Sequence, residues 1–275
     1  MPLMADGVVN RPDRVTRDQV VRRDERASRY EALQAAGESA FPAGEFVGQE
    51  SFMRASEIRE LAQRAGIGPG VSVLDLCCGV AGPGRFITSE LGCEYLGVDC
   101  SAGAIEIARS LAGDLSCRFE ERNLPLLPGG RYPVILLLET MLAFPDKRAL
   151  LTGVARALEP NGRFAFTVEE GRPLSTAERQ QMPDADTVWP IELAQLQHLL
   201  GEAGLAVTWQ HDCSVTHRQI AEALVRSFRV FSAEISRRIG QRALADLITA
   251  HELWCDWLES GRIRKFAFVA ATEQR

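Results

Sequence analysis

A chain of 275 residues with 46% hydrophobic and 25% charged positions carries enough apolar surface for a buried core, which excludes a largely unstructured protein. A net charge of -6 without a long basic run argues against nucleic acid, because binding to the phosphate backbone needs a clustered positive face. No apolar stretch nears the ~20 residues that cross a bilayer. The opening MPLMADGVVNRPDRVTRDQ lacks the charged-then-apolar order of a signal peptide, so the expectation is a cytoplasmic protein without a membrane partner.

Residues 1 to about 37 are charged and short of large apolar anchors, and read as one or two surface helices behind a loose start. The turn-rich GESAFPAGEFVG follows. Gln49–Ala65 then has helical apolar spacing, stopped by Gly66, Gly68, Pro69 and Gly70. From Val71 the pattern alternates. Strands are expected at 71–76, 95–98, 117–120, 134–138 and 163–168, with helices at 84–91, 102–111 and 147–158. Next come an amphipathic helix at 191–205, a sixth strand at 206–210, helices from Thr216 to Leu258, and a closing strand, RKFAFVAAT, at 264–272.

Strand–helix alternation with solid apolar strands predicts an α/β fold, a doubly wound and mostly parallel seven-stranded sheet. It carries an N-terminal helical segment (1–47) and a helical cap (211–261) inserted before the last strand. The core comprises 48–210 and 262–275. The seven cysteines are odd in number and scattered, and no CxxC occurs; reduced thiols and no metal site are expected.

The stretch VSVLDLCCGVAGPGRF (71–86) runs a strand into a glycine-rich turn and then a helix. Such a turn binds a ligand across the carboxyl ends of the strands. Asp99 closes the second strand 20 residues after Gly79, the spacing of an acid that holds ribose hydroxyls. The glycines at 79, 82 and 84 read GxxGxG, neither a dinucleotide fingerprint nor a P-loop. Asp75 before the turn would repel a pyrophosphate but suits a ligand ammonium, which points to S-adenosylmethionine.

LDLCCGVAG resembles the first motif of class I S-adenosylmethionine-dependent methyltransferases, and YLGVDCS their second. EERNLPL stands where that family has an adenine contact, with Asn123 the best candidate and Leu124 beside it. YPVILLLETMLAFPD and ALEPNGRFAFT are similar to the fourth- and fifth-strand motifs. The resemblance covers roughly residues 50–170. It implies S-adenosylmethionine as cofactor and S-adenosylhomocysteine as product, with Asp75, Cys77, Gly79, Asp99, Cys100, Asn123, Leu124 and Glu139 around it. Gln49 and Ser51, with Glu50 and Arg54, would cover its methionine end. Cys77 and Ala81 replace family glycines, which is tolerable if their φ stays negative.

The acceptor site is expected where strands four and five end, at Glu139 and at Glu169-Glu170. Neighbouring strand residues face opposite ways, and Glu170 is taken as the inward, catalytic carboxylate, with Glu139 beside it. Arg172, just past strand five, and His217, Arg218, Arg226 and Arg229 in the cap are candidate substrate contacts, the bland reading of the cap arginines being a solvated helix surface. Arg262, Arg264 and Lys265 are read as surface, and Trp254 and Trp257 as cap core. These features imply a methyltransferase for a small, partly apolar acceptor of secondary metabolism. An inward glutamate plus cap arginines has a weaker resemblance to isoprenoid diphosphate C-methyltransferases, where a glutamate takes a proton from a carbocation and a diphosphate would bring Mg2+. The alternatives are N- or O-methylation of an amine or phenol, and a cofactor-binding cyclase or regulator that transfers no methyl group. A homo-oligomer stays open.

Overall fold

The computed structural model describes residues 17–272, with side chains from residue 27 onward; the loose start expected for the first residues lies outside them. In chain order the elements are α1 (Arg17–Ala40), α2 (Ala55–Arg64), β1 (Ser72–Leu76), α3 (Gly82–Leu91), β2 (Glu94–Asp99), α4 (Ala102–Ala112), β3 (Cys117–Glu121) and β4 (Tyr132–Leu137). Then follow α5 (Lys147–Ala157), β5 (Leu158–Glu170), α6 (Thr176–Gln181), α7 (Leu193–Glu202), β6 (Leu205–Asp212), α8 (Ser214–Val230), α9 (Ser232–Ile239), α10 (Gln241–Glu259) and β7 (Arg264–Thr272).

The strands form one sheet in the order β3-β2-β1-β4-β5-β7-β6. The first five in that order run parallel, and β7 is antiparallel to both its neighbours. The chain therefore winds outward through β1, β2 and β3, then returns to lay β4 on the other side of β1. That reversal opens a cleft at the carboxyl ends of β1 and β4, the natural ligand site of a doubly wound sheet. One face is covered by α5 and α7 through Leu150, Leu151, Val154, Leu196 and Leu200. The other is covered by α2, α3 and α4 through Ile58, Leu61, Ile87 and Ile105. Burial on both faces explains why Val134–Leu138 is nearly all aliphatic.

Three expected boundaries shift, each for a local reason. The helix expected from Gln49 begins only at Ala55. The buried Gln49 amide accepts from Val47 N–H (2.6 Å) and donates to the carbonyls of Glu45 (2.9 Å) and Met53 (2.8 Å), holding 45–54 as a loop. Glu57 then starts the helix by accepting the Arg54 N–H at 2.8 Å. Strand β5 begins at Leu158, before Pro160 and Gly162. Leu158 pairs with Tyr132 and Arg163 with Val134, so a register shift absorbs the intervening residues, with Asn161 at φ 64. The helix expected over 191–205 spans only Leu193–Glu202.

Helices α8, α9 and α10 lie between β6 and β7, as the sequence anticipates. One continuous helix, α1, joins them instead of lying free on the surface. Ala36, Ile220, Leu224, Phe228, Ile235 and Leu244 share a core, and Ser227 Oγ donates to the Ala36 carbonyl at 2.8 Å. This four-helix layer closes over the strand ends, and the loop 45–54 runs between it and the sheet.

Candidate active site at the carboxyl ends of the strands

The turn after β1 departs from the expected backbone. Cys77 (φ 59) and Ala81 (φ 55) both adopt the left-handed conformation, as does Gly79 (φ 55). For a residue with a Cβ this costs ~1–2 kcal/mol. Bonds from Cys78 N–H to Val98 O (3.0 Å), Gly79 N–H to the Asp99 carboxylate (2.9 Å) and Ala81 N–H to Cys78 O (2.9 Å) hold the turn against that cost. Two glycines are required by close approach. A Cβ on Gly82 would lie 2.6 Å from the Gly48 backbone, and one on Gly84 would lie 2.1 Å from the Tyr95 ring.

That second contact bears on chemistry. Tyr95, held against Gly84, donates its phenolic O–H to Asp75 Oδ2 at 2.5 Å. Both side chains are buried. Burial raises the Asp75 carboxyl to about 7, against the opposing Tyr95 hydrogen bond. A ligand ammonium would restore its charge. Asp75 lines a cavity of about 170 Å3 with Cys77, Gly79, Gly82 and the loop residues Gln49 and Ser51. Asp99 fixes the turn from beside it, one oxygen accepting from Gly79 N–H and the other from Ser101 N–H (2.8 Å). Each oxygen keeps a second acceptor position for a ribose hydroxyl. Cys100 and Asn123 are exposed and Leu124 half-buried, after β2 and β3 and outside the lining of that cavity.

A second cavity, of about 200 Å3, lies between the strand ends and the helical layer. Phe52, Leu142, Trp254, Leu258 and Ile263 give it apolar walls. Glu139, Glu169, His217 and Lys265 give it a polar floor. Glu139 lines both cavities. It sits at φ 57 with its N–H bonded to Thr167 Oγ1 at 2.6 Å.

The inward carboxylate at the end of β5 is Glu169, not Glu170. Glu169 is buried and stands opposite Lys265 in the β5–β7 register, with an ion pair between them. Glu170 lies on the other face and pairs with the exposed Arg264 at 2.8 Å. The correction follows from where the alternation starts, which β7 fixes. Lys265, expected on the surface, is buried, and its ammonium also lies 2.9 Å from Glu139 Oε1. The two carboxylates raise its pKa despite burial. Alternation within RKFAFVAAT does not mark it, because residues 266–270 are buried on both faces of the strand; pairing with Glu169 sets its side.

His217 is the one cap candidate that reaches this cavity. It is 0% exposed, and burial, then Lys265, lowers it to about 3, so the ring is neutral. Its Nε2 lies 3.7 Å from Glu57 and its Nδ1 3.8 Å from Glu139. The arginines do not converge with it. Arg218 pairs with Glu222 (3.3 Å) and Glu259 (3.1 Å), and Arg229 pairs with Glu252. Arg226 and Arg172 are exposed. Arg218, Arg226 and Arg229 thus lie on the outer surface of α8, as their helix-surface reading has it, and Arg172 lies in the exposed turn between β5 and α6. Trp257 is buried cap core, as read, but its T-shaped neighbour Trp254 also lines the cavity. Sequence reasoning missed Glu57, whose partner lies in another part of the chain, and the role of Phe52, read only as a helix-spacing residue.

A methyltransferase domain family matches residues 49–210. A phosphoethanolamine N-methyltransferase of Arabidopsis thaliana is 28% identical over 113 residues, 40% of this chain and 23% of that protein. The chain thus aligns with about a quarter of that relative's length. The phosphoethanolamine N-methyltransferase 2 of Haemonchus contortus, solved with phosphomonomethylethanolamine and S-adenosylhomocysteine, superposes with a TM-score of 0.72 at 17% identity, covering 89% of this chain and 57% of that one. A geranyl diphosphate methyltransferase in complex with GPP and sinefungin gives 0.64 at 18% identity, covering 80% of this chain and 78% of that one. At these identities the superpositions show a shared fold. Among the described residues no helix is long and apolar enough to cross a membrane.

Proposed function

The chain belongs to the methyltransferase domain family of the class I S-adenosylmethionine-dependent fold, and we propose that it moves the methyl group of that cofactor onto the nitrogen of a small, partly apolar amine. The observation that carries the reading is Glu139, a carboxylate lining both cavities.

Methyl transfer from a sulfonium to an amine is a displacement in which positive charge leaves sulfur and arrives on nitrogen. A fixed carboxylate at the boundary favours the charge as it crosses. It also accepts an N–H bond that aims the amine lone pair at the methyl carbon, and such positioning is worth up to ~7–11 kcal/mol. Asp75 meets the cofactor ammonium, Asp99 the ribose, and Gln49 and Ser51 close the methionine end. The helical layer (α1 and 211–261) selects the acceptor, while 48–210 with 262–275 holds the cofactor.

The small volume with apolar walls suits a small acceptor. The similar proteins from Arabidopsis and Haemonchus carry N-methyltransferase in their names. An isoprenoid diphosphate fits the charges less well. Its arginine partners point elsewhere, and Lys265, the one cation lining the cavity among the described residues, already serves two carboxylates. Mg2+ has no part in the amine reading. Incubation with cofactor labelled on its methyl group and panels of amines, phenols and isoprenyl diphosphates tests it. Label on an amine is expected. Label only on a phenol or an alkene would replace the reading, and cofactor bound but never consumed would favour a cyclase or regulator.

A further inference from the structure

Behind the acceptor cavity, Glu57, Cys213 and His217 come together from parts of the chain the sequence keeps apart. One ligand atom of each lies within 4.8 Å of the other two. Glu57 projects from the first turn of α2. Cys213 caps the N-terminus of α8, and His217 follows one turn on, its N–H bonded to the Cys213 carbonyl at 2.9 Å. The i, i+4 spacing brings thiol and imidazole to one side of the helix.

His217 supplies a second, independent observation. Its side chain is wholly buried, and neither ring nitrogen has a hydrogen-bond partner. A buried polar group left unpaired is costly and calls for an unseen water or ion. The two nitrogens face different carboxylates, Nε2 towards Glu57 at 3.7 Å and Nδ1 towards Glu139 at 3.8 Å. With Nδ1 carrying the proton towards Glu139, the Nε2 lone pair is left facing Glu57. A metal-bound imidazole commonly has this arrangement, with a carboxylate behind the other nitrogen to set the tautomer.

We propose that Glu57, Cys213 and His217 bind a divalent cation of the zinc class. One sulfur, one nitrogen and one oxygen donor suit a borderline-soft ion, not calcium or magnesium. Coordination forms one bond from each donor and releases the Cys213 thiol proton to solvent; no redox step is involved. The carboxylate oxygens of Glu57 already accept from Arg54 N–H and Thr216 Oγ1, which fix its orientation and leave a lone pair on each. Glu57, Glu139 and Asp212 act on the imidazole or thiol from the acidic side and Lys265, Arg54 and His211 from the basic side, and the thiolate formed on coordination adds a negative charge beside Glu57. Three protein ligands leave a fourth position open. The ion would tie α2, on the sheet, to α8, in the helical layer, and steady the imidazole that floors the acceptor cavity.

The test reads binding and does not depend on methyl transfer. Chelator-stripped full-length protein is titrated with Zn2+ by calorimetry, and with Co2+ while the ultraviolet–visible spectrum is followed. One equivalent of Zn2+ is expected, together with a near-ultraviolet thiolate-to-cobalt band. Cys213→Ser should abolish the band, and both His217→Gln and Glu57→Gln should weaken Zn2+ binding at least tenfold. Circular dichroism of each metal-free variant checks folding. If a variant does not fold, the presence or absence of the cobalt band in the wild-type protein decides. No stoichiometric uptake, or uptake and band unchanged in His217→Gln, would overturn the proposal.

Discussion

Glu169 on β5 and Lys265 on β7 face each other across an antiparallel register, both buried, with the Lys265 ammonium shared by Glu139 at 2.9 Å. A pair of carboxylates at the acceptor cavity is thus held by one cation from the last strand. The arrangement explains how acidic groups can stay beneath an apolar pocket, since buried charge is tolerated only when paired.

Replacing Lys265 with Met removes that cation and leaves both carboxylates in place. The loss should be about 3–5 kcal/mol, the usual cost of breaking a buried ion pair from one side. Chemical denaturation measures it. Exposed Arg264, paired with Glu170, provides the control, because Arg264→Ala should cost no more than ~1 kcal/mol.

Asp75 makes stability and cofactor binding depend on pH in opposite senses. Its folded-state carboxyl lies near 7, above its ordinary value of 3.8. The folded protein therefore holds this proton more tightly than the unfolded chain, and its contribution to stability falls as pH rises from about 4 to about 7. Asp75→Asn should raise the melting temperature of the cofactor-free protein at pH 8, by on the order of 2–4 °C per kcal/mol recovered, and change it little at pH 4. Cofactor binding needs the ionised form. Its affinity should fall below pH 7 with a slope approaching tenfold per pH unit; calorimetric titration with S-adenosylhomocysteine at pH 6, 7 and 8 reads the affinity, and melting of the cofactor-free wild-type protein and Asp75→Asn at pH 4 and 8 reads the stability.

Gly84→Ala should act on the same carboxylate from a distance. The added methyl group would collide with the Tyr95 ring and pull the phenol from Asp75. Weaker cofactor binding is expected together with a stability loss of ~1–3 kcal/mol for overpacking. Tyr95→Phe, which removes only the hydroxyl, should share the binding defect.

Phe52 should set acceptor size. It lines the acceptor cavity and an adjoining one of about 120 Å3 bounded by α1, α8 and α10, and it packs edge-on against His217 and His251. Phe52→Ala would join the two spaces. The preferred amine should then carry a longer apolar group, with kcat/KM for the wild-type acceptor lowered, and a chain-length series measures the change.

Much of the fold was legible because it rests on local pattern. RKFAFVAAT gave β7 to the residue, and LDLCCGVAG with YLGVDCS gave the glycine-rich turn after β1 and the Asp99 that closes β2. The failures share a cause. Whether Glu169 or Glu170 turns inward is decided by pairing with β7, almost a hundred positions away. The positive φ of Cys77 and Ala81 is set by hydrogen bonds to Val98 and Asp99 on another strand and within the turn. Residues 49–54 looked helical because apolar spacing does not reveal that the Gln49 amide takes over backbone groups. The cap arginines looked like an anion site because a helix's residues do not report which face meets solvent. Their glutamate partners are drawn from three helices.

The most direct measurement of the account is methyl transfer to the acceptor amine by wild-type protein and by Glu139→Gln, with S-adenosylhomocysteine affinity and melting temperature measured alongside. Removing the charge while keeping the shape should lower kcat by ~10²-fold or more, with cofactor affinity changed less than tenfold and the fold intact. An unchanged kcat in the variant, or no transfer to any amine by the wild-type protein, would contradict it.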